Sequence, residues 1–569
     1  MSNPPLIRRR PQGDSSGLPV QLHPVLRRAY AARGVTAAAD VPLELRALLP
    51  PAGLSGIDAA SELLMAAILA QKHIVIAGDY DADGATATAV ALLGLRALGA
   101  SKVDYVVPNR FTMGYGLSPA LTQMALTKGA ELLVTVDNGI ASVAGVAAAN
   151  AAGLPVLITD HHLAGDELPA AAAIVNPNQP GCGFPSKHLA GVGVMFYVLL
   201  ALRARLRAAG HFTDRPEPNL AELLDLVALG TVADVVRLDH NNRILVAQGL
   251  ARIRAGRARP GLQALLQAAG RAQTHISSGD LGFVLGPRLN AAGRLEDMTV
   301  GIECLLASTA ETARALAAQL DSLNRERRDI EAQMRDEALE LAASNSAVGV
   351  CLFDSSWHEG VVGLVASRVK DKLHRPVIAF ARATEEGVLK GSGRSISGLH
   401  LRDAMAAVDA RHPGLIVRFG GHAMAAGLTL PESALAEFSH AFDAECRARL
   451  DADTLEEVLE TDGELQDSEL HLETAHALEQ AGPWGQGFPE PRFEGRFEVL
   501  ETRALGADGR HIKYRLRLPG GGHVEAMDFN GAERMIERGG SVQLVYSIGV
   551  NRFRGAEALE MRVVDLRIG

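Results

Sequence analysis

The sequence predicts an α/β protein of several domains: a parallel sheet covered by helices, a long connecting helix, a second α/β unit and a small C-terminal β-barrel. Three observations predict it. Short apolar runs alternate with Ala-rich helical stretches from about 72 to 176, the signature of strands joined by crossover helices. Residues 305 to about 345 hold little Gly or Pro and place apolar side chains at helical spacing. After a Gly/Pro-rich hinge at 481–493, short alternating strands without helices run on to Gly569.

The 569 residues suffice for three or four domains, each with its own core. A hydrophobic content of 47% with 21% charged residues is that of a water-soluble globular protein. Cys182, Cys304, Cys351 and Cys446 are far apart and form no C-x-x-C pair. Neither a zinc ribbon nor a disulfide framework is expected, and a reducing cytoplasm fits. The opening residues, MSNPPLIRRRPQGDSSG, lack a signal-peptide apolar core and are expected to form a mobile tail; no run of eighteen apolar residues predicts a membrane span. A net charge of −10 argues against a general nucleic-acid binder. Local basic surface, however, counts for more than the sum.

Taken in order, the strand candidates of the first unit are HIVIAG (73–78), VDYVVP (103–108), ELLVTVD (131–137), PVLITD (155–160) and AAIVNP (172–177). Such sheets gather ligand-binding residues at the carboxyl ends of their strands. Residues 188–268 read as mainly helical. The long helix carries a stripe of Leu316, Leu320, Leu323, Ile330, Met334 and Leu341, interrupted by Arg327. It reads as a helix joining two domains, with a coiled-coil seam as the alternative. A second α/β pattern fills 347–450, and DADTLEEVLE (451–460) is expected to be helical.

The chemistry centres on HIVIAGDYDADGATATAV (73–90): an apolar β-branched run, three alternate carboxylates at Asp79, Asp81 and Asp83, then a helical stretch. Three acids within five residues repel one another unless a cation lies among them or some stay protonated. A calcium EF-hand would need a Glu at its twelfth position, here Val90, and a preceding helix where a strand is expected. A solvated acidic turn is the other alternative. Asp137-Asn138-Gly139, Asp160-His161-His162 and Asp234 end or follow later apolar runs. Singly these read as a turn, a chance pair and a helix cap. Together at successive strand ends they suit a two-metal site, in which ions about 4 Å apart clamp the attacking and leaving oxygens of a phosphoryl displacement. Oxygen ligands suit Mg2+ or Mn2+, and an imidazole tilts the choice toward Mn2+. In HIKYRLRL (511–518), Lys513, Arg515 and Arg517 share one face. That face is either a solvated surface or a track for a nucleic-acid backbone.

DYDADGATAT, VTVDNGI, TDHHL and GTVADVV together resemble the ordered motifs of the DHH phosphoesterase superfamily, whose Asp-His-His is Asp160, His161 and His162 here. VPNRFTMGYG, GPRLNAAGRL, WHEGVVGLVASR, GSGRS and GGHAMAAG narrow the resemblance to its bacterial single-strand-specific exonucleases. The resemblance implies a tail and lead-in over 1–50, a DHH domain over 51–304, the linking helix over 305–346, a DHH-associated domain over 347–455 and an oligonucleotide-binding (OB) type barrel over 456–569. It implies two ions held by Asp79, Asp81, Asp83, Asp137, His161 and Asp234, with Asp137 as the bridge and Asp79 either a ligand or a residue orienting one. It implies His162 at the scissile phosphate and Asp160 orienting an imidazole. Ser392, Arg394, His422, Arg288, Asn290, Arg294, Arg110 and Tyr115 are expected along the cleft as phosphate contacts, with domain-packing ion pairs as the alternative for the arginines.

The implied activity is 5′ to 3′ hydrolysis of single-stranded DNA to 5′-mononucleotides in DNA repair and recombination. The implied partners are single-strand-binding protein and a RecQ-type helicase, with the chain a cytoplasmic monomer away from membranes. Two alternatives stand beside it. A phosphatase or phosphodiesterase of small nucleotides would lack the C-terminal barrel, and a binding module would have lost ligands that are all present here.

Overall fold

The computed structural model describes residues 4–343, 345–506, 508–552 and 555–568. Its first α/β unit is built on a five-stranded sheet in the order Val103–Val106, Ile74–Ala77, Leu132–Val136, Val156–Thr159, Ala173–Val175. Every pair in it is parallel. The β-branched runs Ile74–Ala77, Leu132–Val136 and Val156–Thr159 are buried along their whole length, because parallel strands are covered on both faces. The chain enters at Ile74–Ala77, steps to one side for Val103–Val106, then crosses to the other for Leu132–Val136. The strand order therefore reverses between Ile74–Ala77 and Leu132–Val136, and a crevice opens beyond their carboxyl ends.

Helix Ala82–Leu98 packs against helices Gly191–Ala208 and Leu224–Ala233 with almost no exposed side chain. Its Ala, Thr and Gly residues permit the approach. A Cβ on Gly94 would come within 2.3 Å of Leu199, and one on Gly230 within 2.1 Å of Thr86 Oγ1.

The long helix runs Ala310–Ala343, 34 residues and so about 51 Å at 1.5 Å per residue. It packs on helices Pro260–Ala268 and Gly286–Leu295 of the first unit and on Val362–Leu373 of the second. Leu320, Leu323 and Met334 are buried, whereas Leu341, expected on the same stripe, is 46% exposed. Arg327 does not interrupt the packed face. It is buried, paired with Glu331 and bonded to Asn324 at 2.7 Å, and Arg368 of the second unit reaches Glu331 at 2.8 Å.

The second unit holds a sheet ordered Arg418–Gly421, Ala425–Pro431, Val388–Arg394, Val377–Arg382, Val350–Phe353. Only its last two strands are parallel. At the C-terminus, Phe493–Leu505, His511–Arg517, His523–Asp528, Ala558–Ile568 and Ser541–Asn551 close into a barrel in that order. Among the described residues no single helix is long and apolar enough to cross a membrane.

Two expectations fail at the N-terminus. The opening segment is not a free tail: Leu6–Arg9 forms a parallel strand against Val458–Thr461, so 451–460 ends in a strand rather than a helix. The arginines that suggested a solvated tail have acidic partners. Arg8 and Arg10 reach Glu460 at 3.1 and 3.0 Å, and Arg9 pairs with Glu464 and Glu494. Deeper in, Arg33 meets Asp462 through two hydrogen bonds of 2.6 and 2.9 Å, with side chains 1% and 4% exposed. The lead-in thus ties the first unit to the barrel.

Candidate metal centre and phosphate cleft

The crevice beyond Ile74–Ala77 and Leu132–Val136 collects the acids. Asp81 caps helix Ala82–Leu98, accepting from Gly84 N at 2.9 Å. Asp83 points the other way, its two oxygens accepting from Gly191 N at 2.6 Å and Val192 N at 3.0 Å. Those donors open helix Gly191–Ala208, whose N-terminal N–H groups and dipole suit a carboxylate. Asp79 is buried at the turn between strand and helix. Asn290 holds this loop by accepting from Ala82 N at 2.8 Å.

Asp137 leaves its strand in the left-handed region, φ 62°, a strained setting for a residue with a Cβ. Its N–H is tied to Thr159 O at 3.0 Å. Asn138 Nδ2 bonds the carbonyls of Ala77 at 3.1 Å and Val136 at 2.9 Å, pinning the two strand ends together. Asp234 does not follow a strand, as expected, but closes helix Leu224–Ala233, its N–H bonded to Gly230 O at 3.0 Å. Val235 follows at φ 61°.

Three sets of ligand atoms lie within 4.8 Å of one another: Asp79, Asp81 and Asp137; Asp83, His161 and Asp234; Asp137, His161 and His162. His161 Nε2 is 3.1 Å from Asp137 Oδ1 and 3.4 Å from Asp234 Oδ2. Yet Asp79 Oδ1, Asp137 Oδ1 and His161 Nε2 are all buried without a hydrogen-bond partner. Orphaned buried polar atoms are rare and costly, and three of them in one crevice, all metal-ligating types, fit an Mn2+ or Mg2+ pair. Electrostatics agree. Burial, with Asp83 and Asp81 beside it, lifts the Asp137 carboxyl well above the usual range. Burial and then Asp81 raise Asp79 likewise. Burial raises Asp83 to about 7, Asp234 adding to it, and Asp234 itself to about 8, Asp81 adding to that. Metal-free, these acids hold protons that cations would replace.

Asp160 and His162 behave differently. Burial would raise Asp160, but its bond to His162 Nδ1 at 2.7 Å and donation from Ile140 N at 2.9 Å outweigh it and hold the carboxyl at about 2. Its oxygens also accept from the N–H groups of His161 and His162. Burial opposes the imidazolium of His162, yet the Asp160 hydrogen bond wins and lifts it to about 9. His161 goes the other way, lowered by burial and then by the His162 charge, which favours the neutral ring that metal ligation requires. Tyr115 lies over His162, its hydroxyl 3.0 Å from Nδ1 and donating to Asp137 O at 3.2 Å. His422 of the second unit also stacks on His162, ring centres 5.7 Å apart.

Beside these groups three guanidiniums gather, those of Arg110, Arg294 and Arg394. Arg110 sits 4.9 Å over the Tyr80 ring. Arg294 bonds Gly360 O at 3.1 Å, and Arg394 bonds Gly393 O at 2.8 Å and Ser392 Oγ at 3.2 Å. Among the described residues none of the three arginines has a carboxylate in ion-pairing reach. Burial, with Arg110 and Arg394 nearby, depresses Arg294 to about 9, and burial with Arg110 lowers Arg394. Arg288 lies apart from this group, spanning Asp321 at 2.9 Å and Val284 O at 2.7 Å as a packing contact.

The barrel stripe is also partnered. Lys513 pairs with Glu525 at 2.7 Å and Arg517 with Glu498 at 3.0 Å, while Arg515 bonds His523 Nε2 at 3.1 Å. Sequence reasoning missed the Gly191 and Val192 donors. A helix opened by AGVGV was the available signal. It also missed Lys390, which no motif singled out.

Residues 73–231 match the DHH family, N-terminal domain; 345–448 match the DHHA1 domain; 461–565 match the RecJ OB domain. The single-stranded-DNA-specific exonuclease RecJ of Dickeya dadantii (strain 3937) is 53% identical over 572 residues, covering 98% of each chain. RecJ from Thermus thermophilus, solved in complex with Mn2+, is 31% identical with a TM-score of 0.82, covering 99% of this chain and 79% of that one. Its complex with Mg2+ gives 30% and 0.77, covering 99% and 78%. The likeness runs through all three modules in the same order and at full length: the chain belongs to the RecJ family of DHH phosphoesterases.

Proposed function

We propose that the chain is a metal-dependent exonuclease of single-stranded DNA, acting 5′ to 3′ and releasing 5′-mononucleotides, in DNA repair and recombination. The observation that carries this is adjacency: a crevice of orphaned acid and imidazole atoms beside three arginines that, among the described residues, have no acid in ion-pairing reach. The relatives' name, single-stranded-DNA-specific exonuclease, supports the substrate class.

Asp79, Asp81, Asp83, Asp137, His161 and Asp234 would hold two divalent ions, Asp137 contributing to both. When bound, Mn2+ or Mg2+ would polarise the scissile phosphate and lower the pKa of water. His162, charged and held by Asp160, would donate a hydrogen bond to the phosphate and give a proton to the departing 3′ oxygen. Tyr115 and His422 both contact its ring. Arg110, Arg294, Arg394 and Ser392 would take the 5′-terminal phosphate through charge-assisted bonds, which would orient the strand for cleavage from that end. Asn290 braces the acidic loop from behind, and Arg288 steadies the long helix.

The small-nucleotide alternative leaves the C-terminal barrel without a role. On the family resemblance, single-strand-binding protein and a RecQ-type helicase are taken as partners of a cytoplasmic monomer. The test is digestion of 5′- and 3′-labelled strands with Mn2+ and after chelation. Metal-dependent release of the 5′ label as mononucleotide is expected. Equal cutting of blunt duplex, or release beginning at the 3′ end, overturns the assignment.

A further inference from the structure

We infer that Lys390 is a positioning residue that latches the strap 109–115 across the cleft, and so sets Arg110 in the phosphate pocket and Tyr115 against the metal centre. The inference rests on the pocket reading given above. The strap follows strand Val103–Val106 and touches both units. At one end Tyr115 reaches Asp137 O and His162; nearer the other, Arg110 lies over Tyr80. Between them the Phe111 ring stands edge-on to His358 at 6.1 Å. The Phe111 carbonyl accepts from Lys390 Nζ at 3.3 Å, and Glu359 Oε2, a buried carboxylate oxygen with no hydrogen-bond partner among the described residues, lies 2.8 Å from the same Nζ as its counter-charge.

Lys390 belongs to strand Val388–Arg394, where Leu389, Gly391 and Gly393 are buried and Lys390, Ser392 and Arg394 share the other face. Successive side chains of a strand alternate. Beyond Val388, which shares this face, Ser392 and Arg394 therefore belong to the proposed phosphate site, and Lys390 grips the strap. A latch is needed because Arg110, Arg294 and Arg394 repel one another until an anion arrives. Without restraint, that repulsion drives the strap arginine outward. Lys390 restrains it through a backbone carbonyl, and Glu359 cancels the ammonium charge, so the latch adds no fourth cation to the pocket.

The experiment compares Lys390→Met, Lys390→Arg, Arg110→Ala and the Lys390→Met/Arg110→Ala double variant in the Mn2+-loaded full chain. Lys390→Met is expected to raise KM for 5′-phosphorylated strands about tenfold, the scale of one hydrogen bond from a charged donor, with kcat changed less than about twofold. Lys390→Arg restores most of it. Hydrogen exchange at 109–115 rises in Lys390→Met. In the Arg110→Ala background the same substitution adds no further KM effect, since interacting sites are not additive. Unchanged exchange at 109–115, or KM effects that multiply in the double variant, overturns the latch. Arg110→Ala leaving the preference for 5′-phosphate over 5′-hydroxyl ends intact would instead overturn the pocket, while the exchange measurement still decides the latch.

Discussion

His161 Nε2 lies 3.1 Å from Asp137 Oδ1, yet the two atoms make no hydrogen bond. Both atoms are buried, and neither finds a hydrogen-bond partner elsewhere among the described residues. Asp234 Oδ2 lies 3.4 Å from the same nitrogen. Buried ligand atoms so close and so poorly satisfied are costly without a cation and compatible around one.

That relationship gives Asp137→Asn an effect whose sign depends on metal. In chelator the variant sheds a buried, repelled carboxyl, and Asn accepts the left-handed backbone at this position readily. It should melt a few degrees above the parent. In Mn2+ the order should reverse, because the parent gains ion binding that the variant lacks. Activity should fall by more than about a hundredfold, beyond the usual cost of losing a residue that merely supports a ligand. Calorimetry with and without Mn2+ reads both signs; the same order in both conditions contradicts the metal site.

When cations are removed by chelation, protons balance these acids, and this fixes a pH dependence for the chelated protein. Asp83 at about 7 and Asp234 at about 8 stand above the unfolded carboxyl value of about 3.9. The folded state therefore binds protons more tightly than the unfolded state between these limits. Stability from these groups is fully present below the unfolded value, declines as pH rises, and is exhausted above about 8. In chelator the melting temperature should fall from pH 5 to pH 8, each such group contributing up to about 1.4 kcal/mol per pH unit. Saturating Mn2+ should remove most of that slope. A chelated protein equally stable at both ends contradicts the repulsion.

Asp160→Asn separates the positioning of His162 from its chemistry. The carboxylate holds the imidazolium at about 9 through a 2.7 Å bond. An amide supplies no charge, so His162 should titrate nearer its ordinary value of about 6.5. Activity at pH 8 should drop about 10–100-fold and recover part of the loss toward pH 6.5, where the ring is again protonated. NMR titration of the His162 ring checks the first statement and kcat against pH the second. A His162 pKa unmoved by the substitution removes Asp160 from this role.

What could be read ahead of the structure was what lies close in the chain. The strand, acidic turn and helix around Asp79 announce themselves because a β-branched run and three alternate acids fall within a dozen residues. The barrel announces itself by strict alternation in segments such as His511–Arg517. Less was legible where the partner is remote. Asp83 takes its hydrogen bonds from N–H groups 108 and 109 positions away, and any helix opened by small residues looks much the same. The strand Leu6–Arg9 finds its mate beyond residue 457, so its arginines read as a solvated tail. Asp234 was found by motif alone, since the chain before it is a helix end like many others.

The barrel stripe carries the last prediction. Lys513, Arg515 and Arg517 do line one outer face, but Glu525 and Glu498 lie on the flanking strands and pair with Lys513 and Arg517. These pairs are exposed, and exposed pairs contribute about 0–1 kcal/mol each, so phosphates could displace the acids at small cost. Were the face a nucleic-acid track, replacing all three bases by Ala should weaken binding of long single strands and reduce the slope of log affinity against log salt by about 2, at 0.7 per contact. Glu498→Gln with Glu525→Gln should tighten binding several-fold at low salt by freeing the same cations. Cleavage of strands too short to reach the barrel should not change in either variant. Fluorescence anisotropy across a salt series distinguishes the cases: an unaltered slope in the triple variant leaves Lys513, Arg515 and Arg517 as an ordinary solvated face, and the strand must cross the barrel elsewhere.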